Sequence, residues 1–125
     1  MIPWPQTACA RAYPSRRTAD RLRSLVHGKL KLTPEGGLPL GPHGVEDTGF
    51  NRNWWVGLTM LHTLFVKEHN AICDRLQSKY PRWDDNRLFN VARLINAAVM
   101  AKIHTVEWTP AILPNRAADQ ALNAN

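Results

Sequence analysis

The chain has 125 residues, enough for one hydrophobic core, and its 44% apolar and 21% charged residues exclude an intrinsically disordered protein. The net charge of +6 is concentrated near the N-terminus, where residues 1–35 carry seven basic and two acidic side chains. Two cysteines are too few for a disulfide framework or a zinc site, and no apolar run is long enough to span a membrane.

Residues 1–50 are predicted to form an irregular, basic, loop-rich N-terminal segment. Three of the nine prolines fall within residues 1–15, and only residues 18–26, with Thr18 as the N-cap, favour a short helix. The basic side chains are Arg11, Arg16, Arg17, Arg21, Arg23, Lys29 and Lys31. No nucleic-acid-binding motif accompanies them, so we expect no nucleic-acid partner and interpret this arm as a solvated face.

Residues 28–49 are predicted to be a long loop, because they contain six glycines and three prolines. Only the alternation of lysine and leucine over residues 29–32 hints at a strand. A structureless loop of this length is unusual inside a compact domain. It suggests that the loop lies against protein surface outside this chain.

A first long helix is predicted over about residues 54–79. Apolar residues recur at helical spacing, and the pattern stops at Tyr80-Pro81, where proline cannot continue the hydrogen-bond ladder. The apolar positions are Val56, Leu58, Leu61, Leu64, Phe65, Ile72 and Leu76. Residues 51–125 are therefore interpreted as a helical pair following the loop-rich segment.

A second long helix is predicted over about residues 85–109, with Asp84 as its N-cap and a length of about 37 Å. It is apolar on most of its circumference, because only Arg93, Asn96 and Lys102 are strongly polar between residues 91 and 103. Such a helix needs burial on several sides, more than one partner helix and a loop can supply. It belongs either to a larger protein or to an oligomer.

Histidines in the first helix raise the question of a metal site. His62 and His69 are separated by about 10.5 Å along a helix axis, whereas two nitrogens bound to one metal lie within roughly 4 Å of each other. His69 and Cys73 are four residues apart and suit chelation, but the sequence supplies no third and fourth ligand. We therefore predict no metal site. The chain also lacks a nucleophile elbow, a glycine-rich phosphate loop and a framed carboxylate pair, so no catalytic residue is assigned.

One polar constellation remains near the end of the second helix, where Lys102, His104 and Thr109 flank Trp108. His104 is either a hydrogen-bonded core residue or a ligand-binding one. Thr109 lies about 140° round an α-helix from His104, so the two converge on one ligand only if the helix is distorted. Pro110 favours such a distortion, because it lacks a backbone donor. An imidazole and a hydroxyl together suit a carboxylate.

Two adjacent motifs carry a family resemblance. Residues 63–76 (TLFVKEHNAICDRL) and residues 80–95 (YPRWDDNRLFNVARLI) resemble consecutive helices of the animal-type haem peroxidase superfamily, which includes cyclooxygenases, myeloperoxidase-type peroxidases and α-dioxygenases. Residues 101–109 (AKIHTVEWT) are most similar to the α-dioxygenase branch, including its bacterial members. The resemblance implies an all-α fold, in which the two long helices are part of a larger, mainly helical haem peroxidase-type domain.

The resemblance also implies a chemistry, namely an oxidoreductase using peroxide or O2 on a fatty acid. His104 and Thr109 match the residues that hold the fatty-acid carboxylate in α-dioxygenases, and Arg52 matches, more weakly, an arginine near the haem. In that branch haem generates a tyrosyl radical that abstracts hydrogen from the fatty acid. The sequence leaves peroxidase and dioxygenase chemistry open.

None of the five histidines lies in either haem-histidine motif of the family. We therefore expect the chain to be a fragment that binds no haem and is inactive alone, while haem and fatty acid are partners of the full-length relative. The alternative is a small non-enzymatic helical protein that hides residues 85–109 by self-association through its apolar helix faces.

Overall fold

The structure of the chain is a computed structural model that describes residues 26–41, 44–48, 54–113 and 115–122. Its helices are α1 (Val56–Lys79), α2 (Asp85–Lys102), a π-helical segment (Ile103–Trp108), α3 (Thr109–Ile112) and α4 (Arg116–Leu122). Within the described ranges there is no β-strand, only an isolated antiparallel bridge between Leu40 and Glu46. The all-α prediction with two long helices is confirmed. The short helix predicted over residues 18–26 lies, apart from Val26, outside the described residues.

Helix α1 begins two residues later than predicted. Trp55 is the N-cap in an extended conformation and gives no side-chain cap, while the indole N–H of Trp54 donates to the hydroxyl of Thr59 at 2.8 Å. The C-terminal end is as predicted, because the N–H of Tyr80 closes the last turn on the carbonyl of Leu76 and Pro81 follows.

Helix α2 begins where Asp84 caps it, and the Asp84 carboxylate accepts a hydrogen bond from the backbone N–H of Arg87 at 2.7 Å. That prediction is confirmed. Helical backbone runs through the predicted end at about residue 109 and continues through the π segment and α3 to Ile112. Pro110 does not stop the helix, because it lies in the first turn of α3, where a missing N–H is tolerated.

The two long helices pack through a stripe of residues spaced three or four apart on each. The buried positions are Val66, His69, Ile72 and Cys73 on α1 and Leu88, Phe89, Ala92 and Asn96 on α2. Asn96 is the polar member of the α2 stripe, and its amide N–H donates to the carbonyl oxygen of Phe65 at 2.9 Å. A buried amide at this position is therefore tied directly to the partner helix.

The described part of the loop packs on these helices. Leu30 and Leu38 are buried in a cluster with Val66 and Phe89. The expectation that the loop lies against surface outside the chain is therefore wrong for this side of it, because α1 and α2 themselves cover its leucines. Lys29, one of the predicted solvated arm residues, also forms an ion pair of 2.6 Å with Asp74 of α1.

Large apolar side chains remain uncovered on the other faces of the helices. Leu64 of α1 is 58% exposed and Leu94 of α2 is 62% exposed. The set further includes Met60, Leu61, Ile95, Val106, Trp108, Ile112 and Leu113. As the sequence indicated, α1 and the loop do not cover α2 on all sides. Among the described residues, no helix is both long enough and apolar enough to cross a membrane.

Helix α4 was not predicted from the sequence. Its signal is nevertheless present, because the side-chain oxygen of Asn115 accepts a hydrogen bond from the N–H of Ala117 at 2.9 Å, as a capping asparagine does. The stretch is short and weakly apolar, so the periodicity that revealed the long helices is missing here.

Candidate functional site

The π segment is the local feature that positions the predicted ligand-binding residues. The backbone N–H of Thr109 donates to the carbonyl oxygen of His104, five residues earlier, in place of the four-residue spacing of an α-helix. The Thr109 hydroxyl donates to the same oxygen at 2.6 Å. The carbonyl of His104 thus accepts both donors of Thr109.

This geometry brings together two side chains that a regular α-helix would separate by about 140°. A five-residue hydrogen bond places Thr109 one wide turn beyond His104, so both lie on one side of the helix. The helix distortion that His104 and Thr109 need in order to face one ligand is therefore present. Its position is Ile103–Trp108, immediately before Thr109 and Pro110.

The indole ring of Trp108 lies beside the imidazole ring of His104. The indole and imidazole ring centroids lie 5.4 Å apart, with the ring planes inclined by 35°. His104 and Trp108 are exposed and Thr109 is half-buried in this chain. The cluster presents an imidazole and a hydroxyl at its polar end beside an apolar aromatic face.

The cluster suits an anionic head group joined to an apolar tail. An imidazole N–H donates to a carboxylate, and a threonine hydroxyl can turn from the His104 carbonyl to a stronger acceptor. Lys102 does not belong to this pair, because residues two apart on a helix do not face each other. Arg52, the third predicted residue, lies outside the described residues.

His69 has a different environment from His104, because it is fully buried between α1, α2 and the loop. Its Nε2 lies 3.1 Å from the carbonyl oxygen of Gly28, so Nε2 carries the proton and donates it. The ring also packs against Phe89, with centroids 5.3 Å apart. This is a structural histidine that joins the loop to both helices.

Its neighbours on α1 bind the same loop. The Asn70 side chain accepts from the N–H of Leu30 at 2.8 Å and donates to the Leu30 carbonyl at 2.9 Å. The Cys73 thiol donates to the Gly28 carbonyl at 3.4 Å. We call these three residues, His69, Asn70 and Cys73, the loop clasp.

Burial shifts the pKa of both titratable members of the loop clasp. Desolvation lowers the pKa of His69 below its ordinary value, and the hydrogen bond to Gly28 opposes this only partly. Desolvation raises the pKa of the Cys73 thiol to about 11, with Asp74 adding to the rise and Lys29 opposing it. His69 is therefore neutral and Cys73 a thiol near neutral pH, which makes both poor candidates for acid–base or nucleophilic work.

Gly28 is the loop residue that the clasp holds. Its φ of +70° is unfavourable for any residue with a side chain, and a Cβ would lie 2.5 Å from the Phe89 nitrogen and 2.9 Å from the Leu88 Cβ. Only glycine fits this close approach to α2. Sequence reasoning missed the clasp, although His69, Asn70 and Cys73 stand three, four and seven residues after Val66 and so lie on its side of the helix.

The described residues have no cluster of side chains suited to hold a metal ion. They contain no group of three or more His, Cys, Asp or Glu side chains that could hold an ion. His69 is buried with Nε2 already donating, and the Nδ1 of His62 donates to the carbonyl of Leu58 at 2.8 Å. In each ring one nitrogen bonds to the backbone, and the second nitrogen of His69, Nδ1, is buried without a hydrogen-bond partner among the described residues.

Comparison with known proteins gives consistent results. Residues 14–125 match the sequence profile of the family described as animal haem peroxidase. The curated relative Alpha-dioxygenase 2 of Arabidopsis thaliana is 47% identical over 93 residues, covering 74% of this chain and 15% of the relative. Alpha-dioxygenase PIOX of Oryza sativa subsp. japonica is 41% identical over 107 residues, covering 86% of this chain and 17% of the relative.

A solved structure shares the backbone arrangement. The crystal structure of Oryza sativa fatty acid alpha-dioxygenase superposes with a TM-score of 0.81 at 40% identity, covering 89% of this chain and 18% of that chain. A variant of the same rice protein was crystallised with palmitic acid. The chain therefore spans less than a fifth of the length of these relatives.

Proposed function

The chain belongs to the animal haem peroxidase family, and from that membership we propose that it forms part of a fatty-acid alpha-dioxygenase-type oxidoreductase domain. In this proposal His104 and Thr109 bind the carboxylate of the fatty acid. The observation that carries it is the five-residue hydrogen bond from Thr109 to His104, which supports a shared ligand for two residues that an α-helix would part.

The described residues have three tasks in this proposal. The imidazole of His104 donates to one carboxylate oxygen, and the Thr109 hydroxyl turns from the His104 carbonyl to donate to the other. The Trp108 indole beside them excludes water from the head group and meets the first carbons of the tail. Together they fix one end of the substrate, and reaction at a defined carbon depends on such fixing.

Haem is the cofactor that family membership implies for full-length relatives, where it supplies the oxidising chemistry. We propose that the haem is bound by parts of the domain other than these 125 residues, since none of the five histidines in the sequence lies in a haem-histidine motif of the family. Alone, the chain is then expected to show no Soret band after haem reconstitution and no oxygen uptake with palmitate or linoleate. Stoichiometric haem binding with histidine ligation would contradict this.

The substrate-binding role is tested in a chimera in which residues 54–113 replace the matching segment of the rice fatty acid alpha-dioxygenase. We expect oxygen uptake with palmitate to persist. His104→Ala and Thr109→Ala should each raise the KM for palmitate by about tenfold or more, the loss expected for one hydrogen bond to a charged group. The exposed Asn90→Ala variant is the control and should leave KM unchanged. Unchanged KM in both site variants would refute the assignment.

A second candidate function is that of a small non-enzymatic helical protein that self-associates through residues 85–109. It is favoured by the exposed apolar side chains of Leu94, Ile95 and Val106, which neither α1 nor the described loop covers. Sedimentation of the 125-residue chain distinguishes the two. A discrete dimer or tetramer supports self-association, whereas a chain that stays monomeric supports the domain-part proposal.

A further inference from the structure

We propose that Pro110 is a positioning residue for the carboxylate site, because it keeps residues 103–108 in π geometry and so holds Thr109 beside His104. This rests on the proposed function of His104 and Thr109 and adds the cause of their pairing. Pro110 lies one residue beyond Thr109, in the first turn of α3, and is not itself assigned to a ligand.

The first argument concerns the hydrogen-bond ladder. In an uninterrupted α-helix residue 110 would donate to the carbonyl of Val106, but proline has no N–H and its ring collides with the carbonyl four residues earlier. A wider turn just before the proline displaces that carbonyl. The π segment ends at Trp108, two residues before Pro110, where this relief is needed.

The second argument concerns what Thr109 would do without the proline. In α geometry its N–H would bond to the carbonyl of Thr105, and its side chain would rotate about 140° away from that of His104. In the structure both the N–H and the hydroxyl of Thr109 bond to the His104 carbonyl instead. The hydroxyl bond alone does not impose the π turn, because a threonine hydroxyl bonds equally well to a carbonyl four residues back, as Thr105 does to Ala101 at 2.6 Å.

The third argument concerns which side chain accompanies the histidine. In α geometry the residue four positions after His104 faces it most directly, and that residue is Trp108. The π turn adds Thr109 to the same side. Pro110 therefore determines whether the imidazole is accompanied by an indole alone or by an indole and a hydroxyl, and the hydroxyl supplies an O–H donor for the second oxygen of a carboxylate.

The test uses the 125-residue chain, labelled for NMR, with decanoate as a soluble carboxylate probe and 1-decanol as the uncharged probe of equal tail length. A coupling transmitted through the hydrogen bond identifies the carbonyl that accepts from the Thr109 N–H. In the wild type we expect the His104 carbonyl, and we expect decanoate but not decanol to shift the signals of His104 and Thr109 together. In P110A we expect the coupling to move to Thr105 and the Thr109 response to be lost, while His104 still responds.

Pro81→Ala is the matched control, because Pro81 follows α1 outside the π segment and should change neither readout. A rescue variant combines P110A with Trp108→Thr and Thr109→Ala. It puts a hydroxyl four residues after His104, and there the response to decanoate should return.

The outcomes separate the two proposals. If decanoate does not shift His104 in the wild type, the carboxylate site itself is refuted. Two results would refute the role of Pro110 and leave the site intact, provided that His104 and Thr109 both respond in the wild type. In the first, the Thr109 N–H of P110A still couples to the His104 carbonyl. In the second, that coupling moves to Thr105 but Thr109 still responds to decanoate.

Discussion

The Nε2 of His69 lies 3.1 Å from the carbonyl oxygen of Gly28, which precedes it by 41 residues. Together with Cys73, which donates to the same oxygen, this contact fixes a loop segment against the α1–α2 pair. Gly28 in turn touches the backbone of Phe89 more closely than any side chain would permit. Three distant parts of the chain therefore meet at one peptide unit, and the stability of the fold depends on it.

Gly28→Ala should destabilise the chain by about 3 kcal/mol or more, because it combines a left-handed backbone with a Cβ overlapping α2. Gly44→Ala is the matched control, since Gly44 has the same φ of +70° and no atom within 4 Å of the place that a Cβ would take. Its cost is the backbone strain alone, about 1–2 kcal/mol. Urea unfolding followed by circular dichroism measures both. Equal losses would show that the close approach of Gly28 to α2 costs nothing.

Asn70→Ala should cost about 2 kcal/mol, because it removes two hydrogen bonds and leaves the N–H and carbonyl of the buried Leu30 without these partners. Asn90→Ala serves as the comparison. That amide is exposed and bonds within its own helix, to the carbonyl of Asn86 at 2.8 Å. We expect a change below about 0.5 kcal/mol there. A similar loss in both variants would contradict a specific role for Asn70 in the clasp.

The stability of the chain should fall as the pH drops below 6.5, the ordinary pKa of histidine. Burial lowers the pKa of His69 in the folded chain. Between that pKa and 6.5 the unfolded chain binds a proton on this histidine that the folded chain does not, so protonation stabilises the unfolded state. The stabilisation that neutral His69 contributes is fully present above pH 6.5. Below it, the free energy of unfolding falls by at most about 1.4 kcal/mol per pH unit, the limit for one proton. Thermal melting from pH 7.5 to 5 measures it. His69→Gln keeps an N–H donor for Gly28 but cannot titrate, so it should flatten the profile; an unchanged slope would assign it to other groups.

Cys73 should resist alkylation in the folded chain at pH 8, because a thiol with a pKa of about 11 is almost entirely protonated there. The raised pKa also predicts a loss of stability between pH 9 and about 11, where the unfolded thiol ionises and the folded one does not. Iodoacetamide labelling in a Cys9→Ser background, with and without urea, isolates this thiol. Rapid labelling of the native chain would show that the clasp opens readily.

The sequence was sufficient to predict the long helices, because each carries a strong apolar period and a physical terminator. Asp84 starts α2 with a cap, and Tyr80-Pro81 ends α1. The sequence did not predict the π segment itself; it indicated only that the helix must be distorted if His104 and Thr109 are to bind one ligand. Whether Pro110 stops, kinks or widens the helix depends on competing hydrogen bonds of similar energy. The spacing of apolar residues does not distinguish these outcomes.

The site was predicted less completely than the fold. His104 and Thr109 were singled out as neighbours only if the helix is distorted, and the structure supplies that distortion. The role of His69, Asn70 and Cys73 was missed because their partners are backbone atoms about 40 residues away, and a backbone carbonyl leaves no residue-specific trace in a sequence. The glycine at position 28 was visible, but a glycine-rich loop does not reveal which glycine is in contact.

The π segment also changes how the helical path from Asp85 to Ile112 is counted. A turn closed at five residues holds one residue more than a turn closed at four, so every side chain beyond Trp108 is rotated by about 100° from its place in an uninterrupted helix. In an alignment with a relative whose helix is regular, this segment therefore needs a one-residue gap between positions 104 and 109. An ungapped comparison would place Ile112 and Leu113 on the wrong face.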